Sequence, residues 1–410
     1  MRLLVAGGGF AGFWAAAAAA RLRRDAASRA SLEIVLVSRD DQLVIRPRLY
    51  EPDPGRMAVA LSPRLAAIGV CFQQGEILSI DVAARQVLLA RAPAISYDRL
   101  VLATGSQIER PQGTPGAPGF DIDTVAGAAA LERHLDELAS EPPSGGRWTI
   151  VIAGGGFTGI ELATALAERL PAKAADEKIR IILVERADRI GASLGSGPSA
   201  AILRALSAAG IEQRTGVTVT GADAAGVTLS NGERIASRTL VWTTGMRAST
   251  LAAGISPRTD DLGRIAVTAE LRVAGIENVF AAGDVAHALA DDGRPVLQSC
   301  QHAQNTGKFA GHNAAADLAG LPLLAYKQPL YSTCLDLGAA GAVLTLGWDR
   351  EVLATGPDAK AIKWRINTQL IYPPAEREAI LAAATPSVID EEMFRNRILN
   401  LKVKSETSRA

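Results

Sequence analysis

Two stretches of the chain share one order of apolar and polar positions. "RLLVAGGGFAGFWAAAA", from Arg2, and "WTIVIAGGGFTGIELATAL", from Trp148, each run from a short β-branched apolar segment through a glycine cluster into an Ala/Leu-rich helical pattern. A second apolar run follows in each, "LEIVLVSRDD" and "IRIILVERAD". Ser38 follows Gly7 by the same 31 residues that separate Glu185 from Gly154, so the two occupy equivalent positions. A third run closes each unit at a Thr-Gly turn, "YDRLVLATGS" and "SRTLVWTTGM". The pattern predicts two related βαβ units in an α/β fold.

The Pro/Gly-rich stretches "RPQGTPGAPGF" and "EPPSGGR" bracket a helical segment near 126–139 and place a boundary at about Gly145. Beyond Gly245, "GRIAVTAELRVAGIENVFAAGDVA" reads as strands, and "QSCQHAQNTGKFAGHNAAADLAG" as a helix ending at Gly320. The rest, with mixed patterns and several prolines, reads as a small third, α+β domain. The divisions are 1–144, 145–262, 263–320 and 321–410.

Composition narrows the options. Forty-three Lys and Arg balance 43 Asp and Glu, so no long-range field recruits nucleic acid. Cys71, Cys300 and Cys334 lack metal-ligand or paired spacing, which suits a reducing cytosol and predicts no metal site. Cys71, within "GVCF", reads as core. No apolar run approaches the ~20 residues of a spanning helix, and "RLLVAGGG" directly after Met1 leaves no room for a signal peptide. The run "WAAAAAARLRR" reads as strongly helix-forming filler.

Gly7-x-Gly9-x-x-Gly12 and Gly154-x-Gly156-x-x-Gly159 each follow a strand and open a helix, the context a dinucleotide pyrophosphate needs. The first glycine permits the turn, the second lets backbone approach phosphate, and the third lets helix pack on strand; the helix N-terminus supplies free N–H groups. Glu185 can accept bonds from ribose hydroxyls and would repel a 2′-phosphate, which favours NADH over NADPH; neighbouring Arg186 argues the other way. A third motif, "NVFAAGDVA", turns at Gly283-Asp284, where the carboxylate can hold sugar-alcohol hydroxyls.

The series GGGFAG, ATG, GGGFTGIELA, TTG and AAGD resembles the two-dinucleotide flavoprotein reductases over about residues 1–315, and GGGFTGIELA looks most like the type II NADH dehydrogenases. The resemblance implies two Rossmann-like domains, one for FAD and an inserted one for NAD(P)H, plus the C-terminal domain. By motif, Gly7, Gly9, Gly12, Thr104, Gly105, Gly283 and Asp284 would contact FAD, and Gly154, Gly156, Gly159 and Glu185 the nicotinamide coenzyme. Ser38 and Arg39 would serve the adenosine end of FAD; a Ser-Arg pair can also bind the 2′-phosphate of NADPH, but the chain order and the Asp284 motif argue against that. Glu161 matches a glutamate near the nicotinamide, its bland alternative being a first-turn acid that complements the helix dipole.

The resemblance implies an oxidoreductase that takes hydride from NADH and passes electrons to a small acceptor such as a quinone. Alternatives are reduction of a ferredoxin- or rubredoxin-type carrier, or a slow-turnover NADH sensor. Gln301 fits the first glutamine of the quinone-side helix, but Asn305-Thr306 replace the expected Gln-Gln pair; Gln301, His302 and Gln304 remain candidates for the acceptor side. The absence of a cysteine pair after the first glycine motif disfavours thiol chemistry. The tail "EEMFRNRILNLKVKS" forms a short basic amphipathic pattern on Phe394, Ile398 and Leu401. Packing within the protein or on a partner is preferred for it over membrane docking, so the expected location is cytoplasmic, with the inner membrane face as the alternative.

Overall fold

A computed structural model of the chain describes residues 1–25, 31–109, 119–174, 177–388, 392 and 394–395. Two five-stranded sheets organise it, each wholly parallel. In the first, Arg2–Ala6 lies between Glu33–Ser38 and Arg99–Leu102, with Cys71–Gln74 and Val279–Ala281 at the edges. In the second, Thr149–Ala153 lies between Arg180–Glu185 and Thr239–Trp242, with Glu212–Thr215 and Phe120–Asp121 outermost. Parallel strands covered on both faces need unbroken apolar runs, and Leu3 to Ala6 and Ile150 to Ala153 are all buried.

The sequence repeat is also a repeat of hydrogen bonding. The Gly7 N–H donates to the Val37 carbonyl and the Gly154 N–H to that of Val184, both at 2.8 Å. The two units are thus copies of one local solution, and Val279–Ala281 returns the chain to the first sheet after the second is complete.

The alanine run is more than filler. Ala15 to Ala20 are all buried, because the helix Phe10–Asp25 lies directly on the helix Cys300–Leu318. A Cβ on Gly307 would stand 2.4 Å from the Ala11 carbonyl oxygen, and one on Gly311 would stand 2.0 Å from that of Ala15. Small residues on both helices set this close approach, which helix propensity alone does not reveal.

Two other expectations change. Cys71 is exposed, because Cys71–Gln74 is an edge strand. The strand-like segment after Gly263 forms only the two-residue strand Ile265–Ala266 before a turn in which Leu271 takes a φ of 64°. The basic residues and apolar positions of the tail from 396 onward lie outside the described residues. Among the described residues no helix is long and apolar enough to cross a membrane.

The C-terminal unit is an antiparallel sheet of Ser332–Asp336, Ala342–Leu346 and Glu351–Thr355, followed by the helix Gly356–Arg365 and a wider turn, Ile366–Leu370. It packs on the helix Phe157–Arg169: a Cβ on Gly338 would stand 2.9 Å from the Thr164 carbonyl oxygen. That contact brings C-terminal side chains beside the second glycine turn.

Candidate active site

Both glycine turns open into one cavity of about 1790 Å³, which also reaches the C-terminal unit. Gly7 and Gly154 have φ of 116° and 119°, and a Cβ on either would stand 2.3 Å from a carbonyl oxygen, of Ala103 and Thr243 respectively. A Cβ on Gly12 would be 1.8 Å from the Gly7 oxygen, and one on Gly159 1.9 Å from that of Gly154. The middle glycines differ: a Cβ on Gly9 would meet nothing within 4 Å, and one on Gly156 only Ser193 Oγ at 3.9 Å. The outer glycines of each motif are therefore required by packing, and the middle one leaves space in front of a helix N-terminus, as a pyrophosphate needs.

At the first turn, the buried Thr104 hydroxyl has no partner within the protein, which suits a polar cofactor. Ser38 lies against Gly8, whose Cβ would stand 2.6 Å from its Oγ, while Arg39 is largely exposed beside Asp40. Gly105 and Gly283 have φ of 67° and 74°. Asp284 accepts a 2.6 Å hydrogen bond from Ser106, and Arg46 approaches it at 3.7 Å while pairing with Asp123. Thr306 Oγ1 accepts the Gly283 N–H at 2.9 Å, tying this turn to the Cys300–Leu318 helix.

At the second turn, Glu185 accepts the Gly155 N–H at 2.7 Å and the Ala187 N–H at 2.9 Å. These bonds fix the carboxylate at the cavity edge with lone pairs to spare for hydroxyls.

Glu161 is not a dipole-complementing acid of the first turn. It is the fifth residue of its helix, fully buried, and pairs with Lys363 of the C-terminal unit at 2.7 Å. It also accepts the Asp336 N–H at 2.9 Å. Burial pushes its pKa up to about 7, with Lys363 opposing. Burial works against the Lys363 ammonium as well, but Glu161, Cys334 and Asp336 outweigh it, and its pKa is raised. Tyr50 donates to Asp336 at 3.2 Å, Lys360 donates to the same carboxylate at 2.6 Å, and Asn367 donates to the Tyr50 hydroxyl at 3.2 Å.

Gln301 and Gln304 both line the cavity; Gln301 accepts the Ser332 N–H at 3.5 Å. Asn305, where a glutamine was expected, donates to the Lys327 carbonyl and to Gln328, so its amide holds a neighbouring segment. His302 is stacked on Tyr331, and burial depresses its pKa to about 4, so it is neutral at pH 7. Cys300 and Cys334 line the cavity as free thiols, and burial raises them to about 11 and about 12. Both are protonated at neutral pH and are poor nucleophiles.

A family profile described as pyridine nucleotide-disulphide oxidoreductase matches residues 1–307. The chain belongs to that family. It is 43% identical over 395 residues to an NADH dehydrogenase-like protein of Mycobacterium tuberculosis, covering 94% of this chain and 98% of that one. It is 32% identical to a demethylphylloquinone reductase of Synechocystis, over 84% of this chain and 86% of that one. Its fold resembles that of NDH2 from Plasmodium falciparum in complex with NADH, with a TM-score of 0.73 at 13% identity, covering 93% and 97% of the two chains. It is an NADH dehydrogenase-like flavoenzyme that uses FAD and a nicotinamide coenzyme. All three cysteines, Cys71, Cys300 and Cys334, are free in this structure.

Sequence reasoning missed Arg46, Tyr50, Asp336 and Lys363. None lies in a glycine motif, and Lys363 stands in an ordinary-looking helical stretch, "DAKAIKWR". Only "VIRPRLYEP", a basic and aromatic cluster just after the second strand of the first unit, carried a readable signal.

Proposed function

We propose that this chain is an FAD-dependent oxidoreductase that takes hydride from NADH and passes electrons to a quinone-like small acceptor. The observation that carries the reading is the joining of two glycine turns of identical register by one cavity, which continues to the buried Glu161–Lys363 pair. Residues 1–144 and 263–320 would hold FAD and residues 145–262 NADH. FAD, when bound, supplies the ring that takes hydride from the nicotinamide and passes electrons on.

The protein's part is binding, orientation and proton supply. Gly7, Gly9 and Gly12, with Thr104, Gly105, Gly283 and Asp284, hold FAD, and Ser38 and Arg39 serve its adenosine end. Gly154, Gly156 and Gly159 receive the coenzyme pyrophosphate, and Glu185 takes the ribose hydroxyls, which favours NADH. Glu161, raised to about 7 while paired with Lys363, can both take up and release a proton near neutral pH, and it lines the same cavity as Gln301 and Gln304. A quinone taking up two electrons needs such a proton. The relatives named for quinone reduction support that acceptor class.

The test is a panel of short-chain quinones, oxygen, ferricyanide and iron–sulfur carriers under steady-state NADH. Quinone turnover well above that with oxygen and the carriers is expected. Turnover with an iron–sulfur carrier alone would replace this reading, and slow flavin bleaching with a persistent charge-transfer band would indicate a sensor.

A further inference from the structure

The part of the cavity wall contributed by residues from 295 onward carries Lys308, Lys327, Arg350 and Lys363, and among the described residues no Asp or Glu after Asp284 lines the cavity. Glu161 neutralises Lys363 at 2.7 Å, Lys308 lies over the Trp14 ring at 4.7 Å, and Lys327 is exposed. Arg350 differs from all three. It is only 7% exposed, it has no carboxylate partner among the described residues, and its Nη1 has no hydrogen-bond partner. A buried guanidinium without a counter-ion is costly unless a ligand brings one.

The neighbours of the guanidinium indicate which ligand. Its carbon lies 4.4 Å from the centroid of the Tyr331 ring, and Tyr331 forms a side-chain hydrogen bond with it. Tyr331 in turn stacks at 4.8 Å on His302, the third residue of the Cys300–Leu318 helix. Gln301, one residue earlier on that helix, accepts the N–H of Ser332, one residue after Tyr331, at 3.5 Å. Arg350 therefore stands at the start of the helix, on the side of the cavity that Gln301 and Gln304 line. His302, neutral at pH 7, adds no charge of its own there.

We propose that Arg350 selects an acidic electron acceptor, a quinone that carries a carboxylate or comparable anion on its ring, and holds that anion as its counter-ion. This rests on the reading of the cavity beside Gln301 as the acceptor side. A guanidinium presents a full positive charge and a planar donor fork that matches a carboxylate, and the Tyr331 ring steadies it before the ligand arrives. NADH and one proton convert such a quinone to its hydroquinone and NAD+, and the carboxylate keeps its charge throughout. The ion pair thus holds ground state and transition state alike, which lowers KM without raising kcat.

The test uses the FAD-loaded protein with Arg350→Met and Arg350→Lys. Steady-state turnover with NADH compares 1,4-naphthoquinone-2-carboxylate with its methyl ester, which has the same ring and no charge. Calorimetry measures the affinity for 1-hydroxy-2-naphthoate, a redox-inert anion of the same shape, and for ADP-ribose. The wild type should show the lower KM for the carboxylate. Arg350→Met is expected to raise that KM, and to weaken the naphthoate, by roughly ten- to a hundredfold, the scale of one charge-assisted hydrogen bond, with kcat much less affected. The ester should respond much less, and Arg350→Lys should fall between the Met variant and the wild type, carrying the test if the Met variant sheds flavin. Equal effects on carboxylate and ester, a wild type that favours the ester, or an equal loss of ADP-ribose affinity overturns the proposal. A wild-type protein that reduces ferricyanide but neither quinone instead overturns the reading of the acceptor as a quinone.

Discussion

Glu161 and Lys363 form a 2.7 Å ion pair with side chains only 3% and 5% exposed, joining the second glycine helix to the C-terminal unit. Such a pair is costly to break from one side, because the remaining charge stays buried. Glu161→Gln or Lys363→Met alone should each destabilise the protein by about 3–5 kcal/mol in urea unfolding. The double variant should recover much of that loss. Additive losses would mean that the two residues act independently.

His302 gives the protein a pH dependence of known sign. Its pKa is depressed to about 4 in the fold, chiefly by burial, against about 6.5 unfolded. The unfolded chain therefore binds the extra proton first as pH falls. The stabilising contribution is complete above about pH 6.5 and is lost as pH drops towards 4, by on the order of 3 kcal/mol. Melting curves across this window should show that loss, and a His302→Gln variant should show a shallower one.

Gly311 tests the contact between the two small-residue helices. Its added Cβ would stand 2.0 Å from the Ala15 carbonyl oxygen, so Gly311→Ala should cost about 1–3 kcal/mol despite the better helix propensity of alanine. Gly254 also lies in a helix but has open space where a Cβ would go. There Gly254→Ala should be neutral or stabilising by up to about 1 kcal/mol. Equal thermal shifts in the two variants would contradict the packing argument.

Glu185 tests coenzyme choice. Its carboxylate is fixed by the Gly155 and Ala187 N–H groups, at 2.7 and 2.9 Å. Glu185→Gln should lower kcat/KM for NADH about tenfold or more, the scale of a charged hydrogen bond, and raise the NADPH-to-NADH ratio. A ratio that does not move would place the ribose elsewhere.

The sequence by itself determined the two parallel sheets, the equivalence of Ser38 with Glu185, and the glycine turns. Each of these is written in a local rule: unbroken apolar runs for covered strands, and glycine where φ is positive or a Cβ would strike a carbonyl. It also placed the end of the Cys300–Leu318 helix closely, at Gly320. Tertiary structure alone decided the use of the alanine run, the exposure of Cys71 and the partner of Glu161. The alanines and Gly307 and Gly311 stand almost 300 residues apart in the chain, as do Tyr50 and Asp336, whose hydrogen bond spans 286 positions. No local pattern encodes contacts of that separation: the first exists because the helix Phe10–Asp25 packs on Cys300–Leu318, and the second because the C-terminal unit packs beside the second glycine helix.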